Sequence, residues 1–269
     1  MSNPLHGNAL ERVAPTARTL GRTVRLGARS TWILVADIAT GRFPWREAIV
    51  QAWFFVTVTA IPAALLAVPF GVVIAVQIGS ITKSVGANSM AGAVGGIAIM
   101  QQIAPMAAAL LVGGAGASAV AAELGARTVR DEIDALRTMG IDPQRRLVSP
   151  RLLAVTIVSP MLAVLIVLMS ILASFLVAIL GQGVASGSYW LSFGTFASVT
   201  DLAICVVKAM IFGYLVVIVA AQRGLEARGG PRGVADGVNA AVVIGIVGCV
   251  VVNVLISQLV AMFIPPRMY

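Results

Sequence analysis

Histidine is nearly absent from this chain, His6 being the only one. That excludes an H-E-x-x-H zinc site and a Ser-His-Asp triad, both of which need imidazole at fixed positions. No G-x-S-x-G occurs, and no G-x-x-x-x-G-K-S/T. The chain therefore carries neither a hydrolase nucleophile elbow nor a phosphate-binding loop of its own, and ATP hydrolysis is not expected from it. Cysteine is scarce too. Cys205 and Cys249 both fall in apolar runs, where a small buried side chain is the expected role, and they imply no disulfide framework and no metal site. Charge is the third shortage: 11% of residues are charged against 59% apolar, with a mean hydropathy of +0.96. Such a balance lies outside soluble globular composition and identifies a polytopic membrane protein.

Five apolar segments meet the roughly 20 helical residues that a hydrocarbon core about 30 Å thick demands. They lie at 48–78, 91–122, 147–180, 199–222 and 238–264. The expected fold is all-α, with residues 1–47 forming a cytoplasmic, interfacial unit and 48–269 the membrane-spanning domain. The first 46 residues carry seven arginines and no compact apolar core, so no cleaved signal is expected. Val13, Ala17, Leu20 and Val24 repeat at helical intervals, and Arg18, Arg22, Arg25 and Arg29 repeat at the same intervals two residues out of step. Two residues advance a helix by about 200°, so the stripes face opposite ways. A helix of that kind lies in the headgroup plane, drawn to anionic lipid, or it binds a partner protein. Trp45 and Trp53 are expected to anchor the entry to the first span.

The net charge of +8 does not point to nucleic acid, because the arginines are confined to connections between apolar spans and are not interleaved with exposed aromatics. Sixteen Lys and Arg fall in the amino-terminal segment, the 123–151 loop and the 223–232 loop, against only Lys83 and Arg267 on the other side. By the positive-inside rule the amino terminus and both basic loops are cytoplasmic, and Tyr269 is outside.

The loop from Glu123 to Arg151 is the most charged feature of the membrane domain, with six arginines among its acids. Thr128 and Asp131 suggest a helix start, Val129, Ile133 and Leu136 fall at helical spacing, and Gly140 and Pro143 provide a stop. Arg130 and Asp134, four apart, are expected to pair on the wet face. A short amphipathic helix leaving the membrane, or a solvated connection between spans, both fit this pattern. Within the spans, Gln101, Gln102, Asn253 and Gln258 suit interhelical hydrogen bonds. Lys208 either pairs with Asp201 seven residues earlier, snorkels, or lines a transport path. Gly92 with Gly96, and the run Gly113, Gly114, Gly116, Ser118, make smooth faces for close contact, either within the subunit or with a second one. The latter run also fits G-x-G-x-x-A, but with no strand before it the match is read as packing.

The sequence AELGARTVRDEIDALRTMGIDPQRRLVSPR, ending at Arg151, resembles the signature loop of the MlaE/YrbE permeases, membrane subunits of lipid-transporting ABC systems that work with MCE proteins. RGLEARGGPRGVADGVNAAVV, from Arg223 to Val243, is similar to that family's glycine-rich segment before the last span, departing from it at Asp236. FPWREAIVQAW, from Phe43 to Trp53, resembles the A-type YrbE version of actinobacterial Mce systems. The resemblance implies an inner-membrane permease of five spans plus an amino-terminal interfacial helix. It implies a coupling helix at about Thr128 to Thr138, with Arg127, Arg130, Asp131, Glu132, Asp134 and Arg137 meeting a cytoplasmic ABC ATPase dimer. Implied partners are a B-type YrbE subunit and periplasmic MCE proteins; ATP is used by the partner ATPase and no cofactor is bound by this chain. The implied cargo is a fatty acid, sterol or phospholipid, with Gln101, Gln102 and Lys208 as candidate cavity residues. Two rival readings are an ion-coupled secondary transporter with Asp201 and Lys208 as relay, and a non-transporting scaffold for an MCE assembly.

Overall fold

A computed structural model of the protein describes residues 9–263, apart from the side chains of 9–18, Leu20 and Asn88. Expectations for His6, the Arg18 side chain, Ile264, Arg267 and Tyr269 lie outside that range. Among the described residues there is no strand. Apart from a 3-10 turn at Asn88–Met90, the described residues form eight helices: α1 (Ala9–Ala39), α2 (Trp45–Ser84), α3 (Ala91–Val129), α4 (Glu132–Thr138), α5 (Gln144–Gln182), α6 (Ser186–Phe196), α7 (Val199–Leu225) and α8 (Pro231–Phe263). Five of them, α2, α3, α5, α7 and α8, are long and apolar enough to cross a membrane, as the five apolar segments predict.

The helices overrun the predicted spans for local reasons. Pro231 opens α8 seven residues before the apolar run begins, a first-turn position where its missing N–H costs nothing. α3 continues beyond the apolar segment to Val129 because Glu123 and Arg127, one turn apart, pair at 2.8 Å. Pro62, Pro69, Pro105 and Pro160 all lie inside helices. Around Pro105, α3 widens into a π-helical turn at Ile99–Ile103, and again at Val112–Gly116.

Packing is governed by small residues, because lipid offers apolar side chains as much as a neighbouring helix does. α2 lies along α5 through Ala63, Ala67 and Gly71; a Cβ on Gly71 would stand 2.3 Å from the Ser170 carbonyl oxygen. Beside it, Ser170 Oγ donates to the Ala67 carbonyl at 2.9 Å. α3, α7 and α8 form the other half of the bundle, with Gly113 against Ile246 and Gly224 against α3. Gly92 and Gly96 meet Tyr189 and Phe193 of α6, so this small-residue pair serves contact within the subunit. α6 itself occupies a connection in which no helix is predicted. It is held by an aromatic cluster in which Tyr189, fully buried, sits 5.3 Å from Phe175 and 5.8 Å from Trp190.

α1 runs ten residues beyond the predicted Arg29 and packs across α7 and the start of α5. Gly27, Ser30 and Asp37 face the bundle, whereas Val24, Trp32, Val35 and Ile38 are exposed. Gly27 abuts Ile218, and Thr31 Oγ1 shares a 2.7 Å hydrogen bond with the Tyr214 hydroxyl.

Candidate functional site

Two sites stand out, one at each end of the bundle. At the end where α3 gives way to α5, the chain turns sharply at Asp131, the one described non-glycine residue at positive φ (59°), and α4 begins at Glu132. The short helix is therefore seven residues long instead of starting at Thr128. Thr128 belongs to α3, its hydroxyl donating to the carbonyls of Leu124 (2.8 Å) and Gly224 (3.2 Å) rather than capping α4. The Asp131 side chain makes no cap either. The expected Arg130–Asp134 pair does not form, because the break at Asp131 removes the helical spacing between them. Arg130 instead pairs with Glu132 at 2.8 Å, and Arg137 with Asp134 at 2.7 Å. Ile133 is 3% exposed and pins α4 to the core, with Leu136 packed beside it, while Glu132, Asp134 and Arg137 remain open to solvent. Gly140, at φ 76°, ends the excursion as the sequence predicts.

Of the six coupling residues expected, Arg130, Asp131, Glu132, Asp134 and Arg137 come together on this projection, and Arg127 does not. Arg127 shares Glu123 with Arg151, whose side chain is 2% exposed. This trio is internal bracing. A cleft of about 350 Å³ lies between α4 and the 225–230 turn, lined by Ile133, Asp134 and Arg137 on one side and Ala227, Arg228 and Gly229 on the other. Two charged residues expected only on an outward-facing stripe tie α1 to this end of the bundle: Arg22 to Glu226 (3.3 Å) and Arg29 to Asp142 (2.8 Å). A third tie, Arg145 donating through two nitrogens to buried Asp37, is missed in the sequence reading. Its signal is Asp37 itself, the one acid in the second half of a basic helix. Arg25 is exposed.

Toward the other end, α3, α7 and α8 enclose a polar network inside the spans. Pro105 has no N–H to return to the carbonyl four residues back, that of Gln101, and Lys208 Nζ donates to that carbonyl at 2.9 Å. Lys208 Nζ also donates to Ser257 Oγ at 2.8 Å, and Gln102 Nε2 donates to the same hydroxyl at 3.2 Å. Asn253 Nδ2 reaches Gln102 Oε1 at 3.1 Å. Lys208 is 2% exposed and does not ion-pair with Asp201. Asp201 instead forms a capping box with Ser198 and accepts from Gln101 Nε2 at 2.8 Å, so Gln101 links the two. Gln101, Gln102 and Lys208 thus come together as expected, joined by Ser257, which the sequence reading does not single out. Gln258, expected in such bonds, is exposed and makes none described.

A bundle of five crossing helices with a charged excursion between the second and third matches one known family over most of its length: the permease MlaE family, across residues 48–259. The chain belongs to the MlaE permease family. It is a multi-pass membrane permease of a lipid-transport system. A probable ABC transporter permease of Rickettsia bellii is 27% identical over 90% of this chain and 96% of its own length. One from Synechocystis sp. is 27% identical over 70% of this chain and 72% of its own. The chloroplast protein TRIGALACTOSYLDIACYLGLYCEROL 1 of Arabidopsis thaliana is 26% identical over 84% of this chain and 64% of its own. In this MlaE-family permease, α4 occupies the one place where a short helix leaves the bundle between two spans with its charges unburied.

Proposed function

We propose that this MlaE-family permease is the A-type membrane subunit of an ABC lipid importer, pairing with a B-type permease, a separate cytoplasmic ATPase dimer and periplasmic MCE proteins. The cargo class is a fatty acid, sterol or phospholipid, and the membrane is the inner one, with the amino terminus cytoplasmic. The single observation that carries this reading is α4, a seven-residue helix anchored by Ile133 and beside an open cleft, with Glu132, Asp134 and Arg137 presented outward. Closure of an ATPase pair against it would push a helix already seated on the core, and hence shift α3 and α5, to which it is joined. α1 lies in the headgroup plane, its exposed Val24, Trp32 and Val35 meeting lipid.

The test is charge reversal at Glu132 and Asp134, both inside α4 where the backbone tolerates any side chain. Reversal at Asp131 would confound the result, since a lysine in the left-handed region costs about 1–2 kcal/mol. Their reversal is expected to abolish ATPase association and lipid uptake at normal membrane abundance; retained association and uptake would overturn the reading. The buried Lys208 network favours one rival, an ion-coupled carrier. That rival predicts uptake driven by a proton gradient with no ATPase present.

A further inference from the structure

α4 is seated on the core at one point and open on two sides. Ile133 is its buried residue, with Leu136 packed beside it. The cleft toward the 225–230 turn is matched by a second, of about 370 Å³, between the end of α4 and α1. Arg29, Asp142 and Gln144 line this second cleft, and Arg137 and Leu225 line both. A push on α4 therefore has two outlets: it moves the spans, or it rocks the short helix into open space and moves nothing else. Which one operates depends on how firmly the cleft walls are held.

Both walls are held by the same element. On one side the chain returns from α4 through Gly140 and enters α5 by a π-helical turn at Gln144–Val148, against which α1 packs. Arg29 Nη2 donates to Asp142 Oδ2 at 2.8 Å, and the other oxygen of that carboxylate accepts from the Gln144 N–H at 2.9 Å. Three residues beyond Asp142, Arg145 donates through Nε, at 2.7 Å, and through Nη2 to the two oxygens of buried Asp37. On the other side Gly27 and Thr31 of α1 rest on Ile218 and Tyr214 of α7, and Arg22 reaches Glu226, next to Leu225. From Arg22 to Asp37 the strap is about 22 Å long, at ~1.5 Å per residue.

Asp37–Arg145 is the tie that fixes most. Two parallel hydrogen bonds set orientation as well as distance. Breaking a buried pair leaves an uncompensated charge, so it does not open and re-form as the solvated ties of Arg22 and Arg29 do. Anchoring α1 in the headgroup plane needs no buried acid on its bundle face. We infer that α1 is a brace for α4 and that Asp37 is a positioning residue for energy transfer: by holding Arg145 in the first turn of α5, it fixes the α4–α5 connection relative to α7, so that thrust on α4 reaches the spans. The inference rests on the ATPase-coupled reading of α4 and adds a second element to it.

The test uses the complete transporter in phosphatidylcholine vesicles, with ATP hydrolysis and lipid movement measured on the same sample. Fluorescent derivatives of a fatty acid, a sterol and a phospholipid are offered, and the one that the native complex moves is followed. Asp37→Asn keeps the shape and removes the charge; it is expected to raise the ATP hydrolysed per lipid moved at least fivefold, with hydrolysis itself within twofold of native. Asp37→Glu, which keeps the charge, should hold that ratio within twofold. Gly27→Leu wedges α1 away from Ile218 and leaves every ion pair in place. It should raise the ratio as well, and it carries the test if Asp37→Asn fails to assemble. Hydrolysis and lipid movement that fall together at an unchanged ratio, or that stay native in both variants, overturn the brace and leave the ATPase-coupled reading standing. A native complex that hydrolyses ATP and moves none of the three lipids overturns that reading, and the brace with it.

Discussion

Arg151 shows how one side chain is made tolerable inside this bundle. Its guanidinium is 2% exposed and Glu123 is its only described ion-pair partner, with one nitrogen, Nη1, left without any hydrogen bond. Glu123 also holds Arg127, so one carboxylate is shared between two cations. Removing one partner of a buried pair leaves an uncompensated charge, which is far more costly than the pair is worth. Glu123→Ala is expected to destabilise the protein by on the order of 3 kcal/mol, read as a lower melting temperature of the purified complex. Glu123→Gln should fall between the two, since it keeps one hydrogen bond and loses the charge. A melting temperature unchanged in both would show that Arg151 finds water or another acid.

At the scale of elements, α1 is the part whose placement depends most on ion pairs. It meets the bundle through Leu26, Gly27 and Thr31, and Asp37–Arg145, Arg29–Asp142 and Arg22–Glu226 brace it with ion pairs. The last two are exposed and worth about 0–1 kcal/mol each. Asp37 is different: its carboxylate is buried and receives two nitrogens of Arg145. Arg145→Ala is expected to cost about 1.5–3 kcal/mol, the range for hydrogen bonds to charged groups, and to loosen α1 specifically. Protease cleavage after Arg42 or Arg46 should accelerate in that variant, whereas Arg22→Ala should leave the cleavage rate within about twofold of native, as a solvated pair predicts. Equal acceleration in both would mean that α1 is held by its apolar contacts and not by Asp37.

For the whole molecule, the question is which end faces which compartment, and the two buried cysteines make it testable. Neither Cys205 nor Cys249 should react with a membrane-impermeant thiol reagent. Leu191, on α6, is 74% exposed, and Arg130 beside α4 has 65% of its side chain exposed, at opposite ends of the bundle. Leu191→Cys is expected to be labelled in intact cells, and Arg130→Cys only after permeabilisation; the reverse pattern would invert the topology and remove α4 from reach of an ATPase.

The sequence alone determined the number of spans, their order and the existence of a charged excursion between the second and third. Those follow from runs of apolar residues and from where arginine is allowed, both of which are properties of the chain in lipid and not of its partners in space. Helix ends were less legible, because Pro231, the Glu123–Arg127 pair and the left-handed Asp131 act locally and against the apolar pattern. Only the tertiary structure decided which polar groups meet. Gln101 and Lys208 are separated by 107 residues, and Asp37 and Arg145 by 108. Neither pair shares a helix, so no periodicity could join them, and it is the crossing of helices that places a freed carbonyl opposite a buried ammonium.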